Sequence, residues 1–223
     1  MHKFLPLIIL FFCIFTFSCK ENDTSPVEKG NVADNKGEGY LVRADSSTFT
    51  WEATKPFGGH RGTIPLTFGI IYVSNNAING GSFEFDVRKL SVSDLDGEEK
   101  EKLETHLRGT GESGKEDFFN TTVYPKATFE ITSIEGIAND NKGNALVKGN
   151  LTLKDVTREI SFKANVAVSD EVVIVSSEVF EINRINWGIT YQSKNIFKDL
   201  KDEFIDDMVK LSIKIKAYKG QGI

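Results

Sequence analysis

Apolar and polar side chains alternate along most of the chain after residue 40, and this period of two constrains the fold more than any other feature. The clearest segment is residues 209–217, where Val, Leu, Ile, Ile and Ala alternate with Lys and Ser. Residues 49–53, 83–88, 147–153 and 160–168 follow the same pattern. Since successive side chains of a strand point to opposite faces, each segment predicts a β-strand with one apolar and one polar face.

Turn signals separate these segments, at Asn75-Asn76, Asn79–Gly81, residues 139–143 and Ser169-Asp170. Long antiparallel strands with one apolar face either stack as a sandwich or close on themselves. Closure removes exposed strand edges, and a barrel of about eight strands can hold one small ligand. The sequence therefore predicts an all-β fold, an extended and roughly eight-stranded antiparallel barrel.

One segment, residues 91–109, breaks the period of two. Leu103 and Leu107 are four residues apart, acidic residues crowd the start, and Arg108 precedes Gly109. These features predict one short surface helix. It leads into a Gly/Ser-rich loop that carries the adjacent rings Phe118-Phe119, which either plug the barrel end or line a ligand entrance.

The N-terminal residues predict an exported lipoprotein. A short basic start precedes an apolar run from Phe4 to Phe17, and Ser18-Cys19 resembles the end of a bacterial lipobox. We expect a signal peptide over residues 1–18, lipidation of Cys19 and a flexible polar tether over residues 19–39. An ordinary signal peptide with an incidental Cys19 is the alternative.

Charge and motif content exclude several functions. The 223-residue chain has a net charge of −5 and no basic patch, so nucleic acid is not an expected partner. Both cysteines lie in the first nineteen residues and the three histidines are scattered, so we expect no metal site. There is no nucleophile elbow, P-loop or dinucleotide motif, and we expect neither an enzyme nor a cofactor.

Eight short motifs occur in order and resemble the YceI-like family of lipocalin-like, polyisoprenoid-binding barrels, over residues 40–219. They are Ser47-x-x-x-Trp51, residues 58–62 (GGHRG), residues 80–86 (GGSFEFD), His106-Leu107, residues 117–119 (DFF), residues 124–129 (YPKATF), residues 149–157 (GNLTLKDVT) and residues 183–189 (NRINWGI). Two departures are a longer loop over residues 108–117 and Asn183 in place of the usual Asp.

The resemblance implies a hydrophobic tunnel that holds an isoprenoid chain with a quinone-like or prenyl-phosphate head, and it does not imply catalysis. By parity, Arg184 shares the inner face with Phe180 and needs either a buried acid or a ligand head group. His60, with Arg61, either faces a head group or is a turn histidine. His106 either contacts ligand or caps the helix end. The candidate ligand-binding residues are Trp51, His60, Phe83, Phe85, His106, Phe118, Phe119, Phe129, Phe162, Phe180, Arg184 and Trp187.

The sequence thus predicts non-catalytic binding, transport or storage of a long-chain isoprenoid or similar amphiphilic lipid in the cell envelope. The expected location is that of an outer-membrane lipoprotein, periplasmic or surface-exposed, with the lipid and the membrane as partners and a homodimer left open. The alternatives are a ligand-free structural or interaction barrel and, third, a barrel enzyme that acts on a lipid-like substrate.

Overall fold

The alternating segments form β-strands in the computed structural model, which describes residues 28–112, 114, 116–138 and 143–220. One α-helix, α1 (Gly97–Arg108), interrupts the strands of this part of the chain. The strands are β1 (Glu38–Val42), β2 (Thr48–Lys55), β3 (Gly58–Thr63), β4 (Leu66–Ser74), β5 (Ala77–Asp86), β6 (Ser91–Val92), β7 (Lys126–Gly136), β8 (Ala145–Leu153), β9 (Val156–Val168), β10 (Val172–Ser177), β11 (Phe180–Asn183) and β12 (Met208–Lys219).

These strands close into an antiparallel barrel with eight positions around the ring, which we call staves. Four of the staves are divided between two strands. The order around the ring is β1-β4-β5-β7-β8-β9-β10-β12, and β12 pairs with β1 to close it. The other four strands continue staves of this ring. β2 continues β1 and β11 continues β10, because both pair with β12. β3 then continues β4 because it pairs with β2, and β6 continues β5 because it pairs with β3. The structure confirms the predicted all-β barrel with one helix.

Because the staves run alternately up and down, their connections divide between two ends. The helix end carries the Pro56-Phe57 turn, α1 with the loop that follows it, the Lys154-Asp155 turn and the connection 184–207. The opposite end carries Asn75-Asn76, the β7–β8 connection and residues 169–171. The two longest connections, the one that contains α1 and the one over residues 184–207, therefore both lie at the helix end.

A buried carboxylate fixes α1 against β6. Glu104 accepts hydrogen bonds from the Val92 backbone N–H (2.8 Å), the Ser91 hydroxyl (3.2 Å) and the Arg108 guanidinium (2.9 Å). Burial raises the pKa of Glu104, but the bond from Val92 and the charge of Arg108 outweigh it, so the net pKa is lowered. α1 ends at Gly109, whose φ of 67° lies in the left-handed region that glycine adopts without strain.

Residues 28–37, which we call the strap, lie along the outer wall. Gly30 donates its N–H to the Asn150 side chain and accepts a bond from the same amide, both at 2.8 Å. Farther along, the Ala33 N–H donates to the Ile131 carbonyl oxygen (3.1 Å), beside a register shift in β7. Within the segment 19–39, for which the sequence predicts a flexible tether, the backbone groups of Gly30 and Ala33 thus find partners on the barrel wall.

The predicted signal peptide and Cys19 lie outside the described residues. Within the described ranges, no helix is long and apolar enough to cross a membrane.

Candidate functional site

The inner face of the barrel contains an apolar cavity of about 40 Å³ in its middle. Rings on neighbouring staves line it in series, with centroid distances of 6.2 Å for Phe83–Phe129, 6.0 Å for Phe129–Phe162 and 4.5 Å for the stacked pair Phe162–Phe180. Every residue of its lining is apolar. Parity therefore placed these four rings on the correct face.

A second cavity of about 100 Å³ lies toward the helix end. Four residues line both cavities: Phe49, Phe85, Leu151 and Leu211. The Phe49 and Phe85 rings are 5.0 Å apart and tilted by 48°. The two cavities are thus neighbouring chambers of the barrel interior with this ring pair between them, and we call them together the tunnel. The prediction missed Phe49, although it belongs to the same alternating segment as Trp51.

Phe118 and Phe119 cover the helix end of the tunnel. Both line the second chamber, and Phe118 is buried. The Phe119 N–H donates to the Leu107 carbonyl oxygen (3.1 Å), which ties the rings to the last turn of α1. They are therefore part of the chamber wall. This position is compatible with both predicted roles, plugging the barrel end and lining a ligand entrance.

The two tryptophans are both buried but differ in hydrogen bonding. The Trp187 indole N–H donates to the Leu151 carbonyl oxygen (3.1 Å), and Trp187 lines neither chamber. Trp51 lines the second chamber, and its indole N–H has no partner among the described residues. Trp187 therefore has a structural bond, whereas Trp51 lines the chamber and has a buried donor without a partner in this described part of the chain.

Arg184 is the one charged residue in the lining of the second chamber. Its guanidinium donates to the carbonyl oxygens of Ile189 (2.9 Å), Ile205 (3.0 Å) and Asp206 (3.1 Å), and to the Asp207 carboxylate (3.3 Å). Burial lowers the pKa of Arg184, and the charges of Asp207 and Asp206 oppose the shift. Of the two predicted partners, the structure supplies the buried acid.

The two candidate histidines line neither chamber. His60 lies 3.1 Å from the Asp94 carboxylate, and the pKa of Asp94 is lowered because bonds from Arg61 N–H and His60 outweigh the effect of burial, which raises it. His106 lies 3.3 Å from Asp117 and packs edge-on against Phe118 and Tyr191. Each histidine thus has its own acidic partner, and His106 supports the chamber wall from behind.

Lys154 joins three segments of the helix end; it lies in the motif of residues 149–157, but it was not among the candidate residues. Its ammonium donates to the Glu116 carbonyl oxygen (3.0 Å) and the Gly188 carbonyl oxygen (3.3 Å). Burial is the main cause that lowers the pKa of Lys154, against the charges of Glu116 and Asp117. Its reach depends on the turn formed with Asp155, where both residues have a positive φ.

Within the described ranges, no group of three or more His, Cys, Asp or Glu side chains is arranged to hold a metal ion.

The family model of the YceI-like domain matches residues 40–217, and the chain belongs to this family. UPF0312 proteins of three Shewanella strains are each 34% identical over 115 residues, which is 45% of this chain and 55% of theirs. The chain thus aligns with about half the length of these relatives.

Two solved structures share the fold. Burkholderia cenocepacia BcnA aligns with a TM-score of 0.60 at 18% identity, over 79% of this chain and 99% of its own. A polyisoprenoid-binding domain from Saccharophagus degradans, described as implicated in plant cell wall breakdown, aligns with a TM-score of 0.55 at 15% identity, over 85% and 100%.

Proposed function

We propose that this protein binds one long-chain isoprenoid or a similar amphiphilic lipid inside its barrel, and that it carries or stores the lipid in the cell envelope. The observation that carries the proposal is the two-chambered tunnel, whose walls are apolar except for Arg184. The Saccharophagus degradans domain, described as polyisoprenoid-binding, has the same fold and supports this ligand class.

The size of the tunnel defines how binding would occur. Chambers of about 40 and 100 Å³ are small beside the roughly 300–1,000 Å³ of ordinary ligand pockets. A prenyl chain therefore has to displace side chains, first of all the Phe49–Phe85 pair between the chambers. Burial of some hundreds of Å² of chain gains on the order of 10 kcal/mol before binding costs, enough to offset ring rotation.

The unpartnered indole N–H of Trp51 supports a head group with an oxygen acceptor. A buried donor without a partner costs about 1–3 kcal/mol, which a ligand oxygen would recover. The Arg184 guanidinium is less available to a ligand head group, because it already donates four hydrogen bonds within the protein. The proposed ligand is therefore a neutral or weakly polar head, such as a quinone carbonyl or hydroxyl, on an apolar chain.

We propose binding without catalysis. Two observations support this reading: neither histidine belongs to the lining of the two chambers, and each pairs with a different carboxylate. The third alternative, an enzyme, required His60, His106 and an acid on one cavity wall.

The envelope location and the lipid anchor at Cys19 are part of the proposal. Their support is the apolar leader that ends at Ser18-Cys19.

A ligand-free structural barrel is the second candidate, and the small volume of the chambers favours it. Uptake of a prenyl quinone, followed by quenching of tryptophan fluorescence, separates the two. We expect Ala127→Leu, which adds methyl groups to the second chamber, to weaken uptake about tenfold or more, since side-chain volume competes with the chain. Ala167→Leu adds the same groups to an exposed position of β9 and is the matched control. No uptake by the unmodified protein would favour the filled barrel.

A further inference from the structure

The strap sets the point at which the preceding chain meets the barrel. Asn150, which pairs with Gly30, lies three residues before the end of β8 at the Lys154-Asp155 turn. From there the strap runs to Gly37, which approaches Val73 near the opposite end. The segment before Glu28 therefore joins the barrel wall near its helix end, although β1 begins at the opposite end.

The proposed anchor is short enough for this position to matter. Eight residues, 20–27, separate Cys19 from Glu28. A chain of eight residues spans at most about 29 Å even when it is fully extended. An anchor at Cys19 would therefore hold the helix end nearer to the membrane than the opposite end.

Five of the exposed large apolar side chains lie at this same helix end, whereas the others lie on the strap and along the outer wall of the barrel. Phe57, at the tip of the β2–β3 turn, is 80% exposed, and Val123, Ile196, Phe197 and Met208 are 43–60% exposed. At the opposite end, the turns at Asn75-Asn76 and residues 169–171 (Ser-Asp-Glu) are polar. A single exposed phenylalanine is ordinary, but five exposed apolar side chains at one end of the barrel are a candidate interaction surface.

We propose that the helix end of the barrel docks on the surface of a lipid bilayer, with Phe57 and Phe197 inserted at its interface. This inference rests on the proposed function in one respect, the lipid anchor at Cys19. Residues 194–203, which contain Ile196 and Phe197, have three lysines and three acidic residues, so this segment carries no excess positive charge. Apolar insertion rather than attraction to anionic lipid therefore drives docking.

Docking of the helix end gives the tunnel a direct route to the membrane. The second chamber lies behind Phe118 and Phe119 at this end. A lipid that leaves the bilayer would then enter the barrel without crossing water.

Brominated phosphatidylcholine vesicles test this orientation, because bromine quenches a tryptophan only on close approach. The full chain is reconstituted on the vesicles as Phe57→Trp and, for comparison, as Phe68→Trp. Phe68 is 50% exposed on β4, away from the turn tips, so it is a matched control with the same chemistry. We expect additional quenching for Phe57→Trp and none beyond the unmodified protein for Phe68→Trp.

Equal quenching of the two variants, or none for Phe57→Trp on a vesicle-bound protein, would overturn the proposal. Absence of vesicle binding would overturn it as well. Neither residue lines a chamber, so quinone uptake by these variants reports on the proposed function separately.

Discussion

The indole N–H of Trp187 donates to the Leu151 carbonyl oxygen at 3.1 Å, whereas that of Trp51, which is also buried, has no partner in the described part of the chain. Both rings occur in motifs that mark the family resemblance, yet their environments differ. Trp187 holds the connection 184–207 against β8. Trp51 lines the second chamber, whose other lining residues are all apolar except for Arg184. The two tryptophans therefore differ in that one indole donor is engaged within the described residues and the other is not.

Replacement of each tryptophan by phenylalanine tests this difference. Trp187→Phe leaves the Leu151 carbonyl without its bond, and we expect the free energy of unfolding to fall by about 2–3 kcal/mol. Trp51→Phe removes a donor that has no partner, so we expect a change within about 1 kcal/mol. Urea denaturation measures both values. A larger loss for Trp51→Phe than for Trp187→Phe would contradict the assignment.

The same Trp51→Phe variant tests the head-group proposal. We expect affinity for a prenyl quinone to fall about tenfold, the effect of roughly one hydrogen bond, while affinity for a hydrocarbon of similar length without oxygen stays the same. Fluorescence titration of both ligands measures the ratio. An equal change for both would show that shape, and not the N–H group, makes the difference.

Arg184 and Asp207 form a buried ion pair that we expect to act on stability and not on binding. Asp207→Asn leaves the guanidinium without its counter-charge, and we expect a loss of about 3–5 kcal/mol in the free energy of unfolding. Quinone affinity of the folded variant should equal that of the unmodified protein. A selective loss of affinity for a prenyl phosphate, with stability unchanged, would instead assign Arg184 to the head group.

Acid should destabilise the fold through Asp86 and Glu104. The bond from Arg88 is the first cause that lowers the pKa of Asp86, and the pKa of Glu104 is lowered as well, so the folded state binds fewer protons than the unfolded state. Their contribution is complete above the unfolded pKa values and is lost as pH falls through the folded ones, that is, below about pH 4.5. Asp86→Asn should therefore reduce the loss in the free energy of unfolding at acid pH, as measured by urea denaturation at several pH values. Parallel curves for the variant and the unmodified protein would contradict it.

Release of the strap should be visible to a protease. Asn150 is fully buried under Gly30, and Asn150→Ala removes both bonds between them. We expect trypsin to cut after Lys29 and Lys36 several-fold faster, since cleavage requires local opening of the backbone. Asn165→Ala, an exposed position on β9, is the control. Unchanged cleavage would mean that other contacts hold the strap.

The sequence predicted the barrel because the rule behind it is local. Side chains two residues apart share a face, so Phe83, Phe85, Phe129 and Phe162 were assigned inward from position alone, and the structure has them there. Interruptions of the staves, such as Ile64-Pro65 between β3 and β4, were not predicted, because either half alone reads as a complete strand.

The remaining features depend on contacts between distant residues. The Gly30–Asn150 pair joins positions 120 residues apart, and Lys154 reaches Glu116 and Gly188 only because its turn has a left-handed backbone. Arg184 was placed inward by parity, but its choice between an acid and a ligand required the position of Asp207. The same alternation places Phe49 on the inner face, but Phe49 was not among the candidate ligand-binding residues.

Native mass spectrometry of the protein, purified from bacteria without detergent, tests lipid binding most directly. We predict an added mass at a ratio of one per chain that organic extraction releases and that fragmentation identifies as a prenyl lipid. Ala127→Leu should reduce its occupancy, and Ala167→Leu should not. Only the bare protein mass, together with no uptake of added prenyl quinone, would contradict the account and leave the ligand-free barrel in its place.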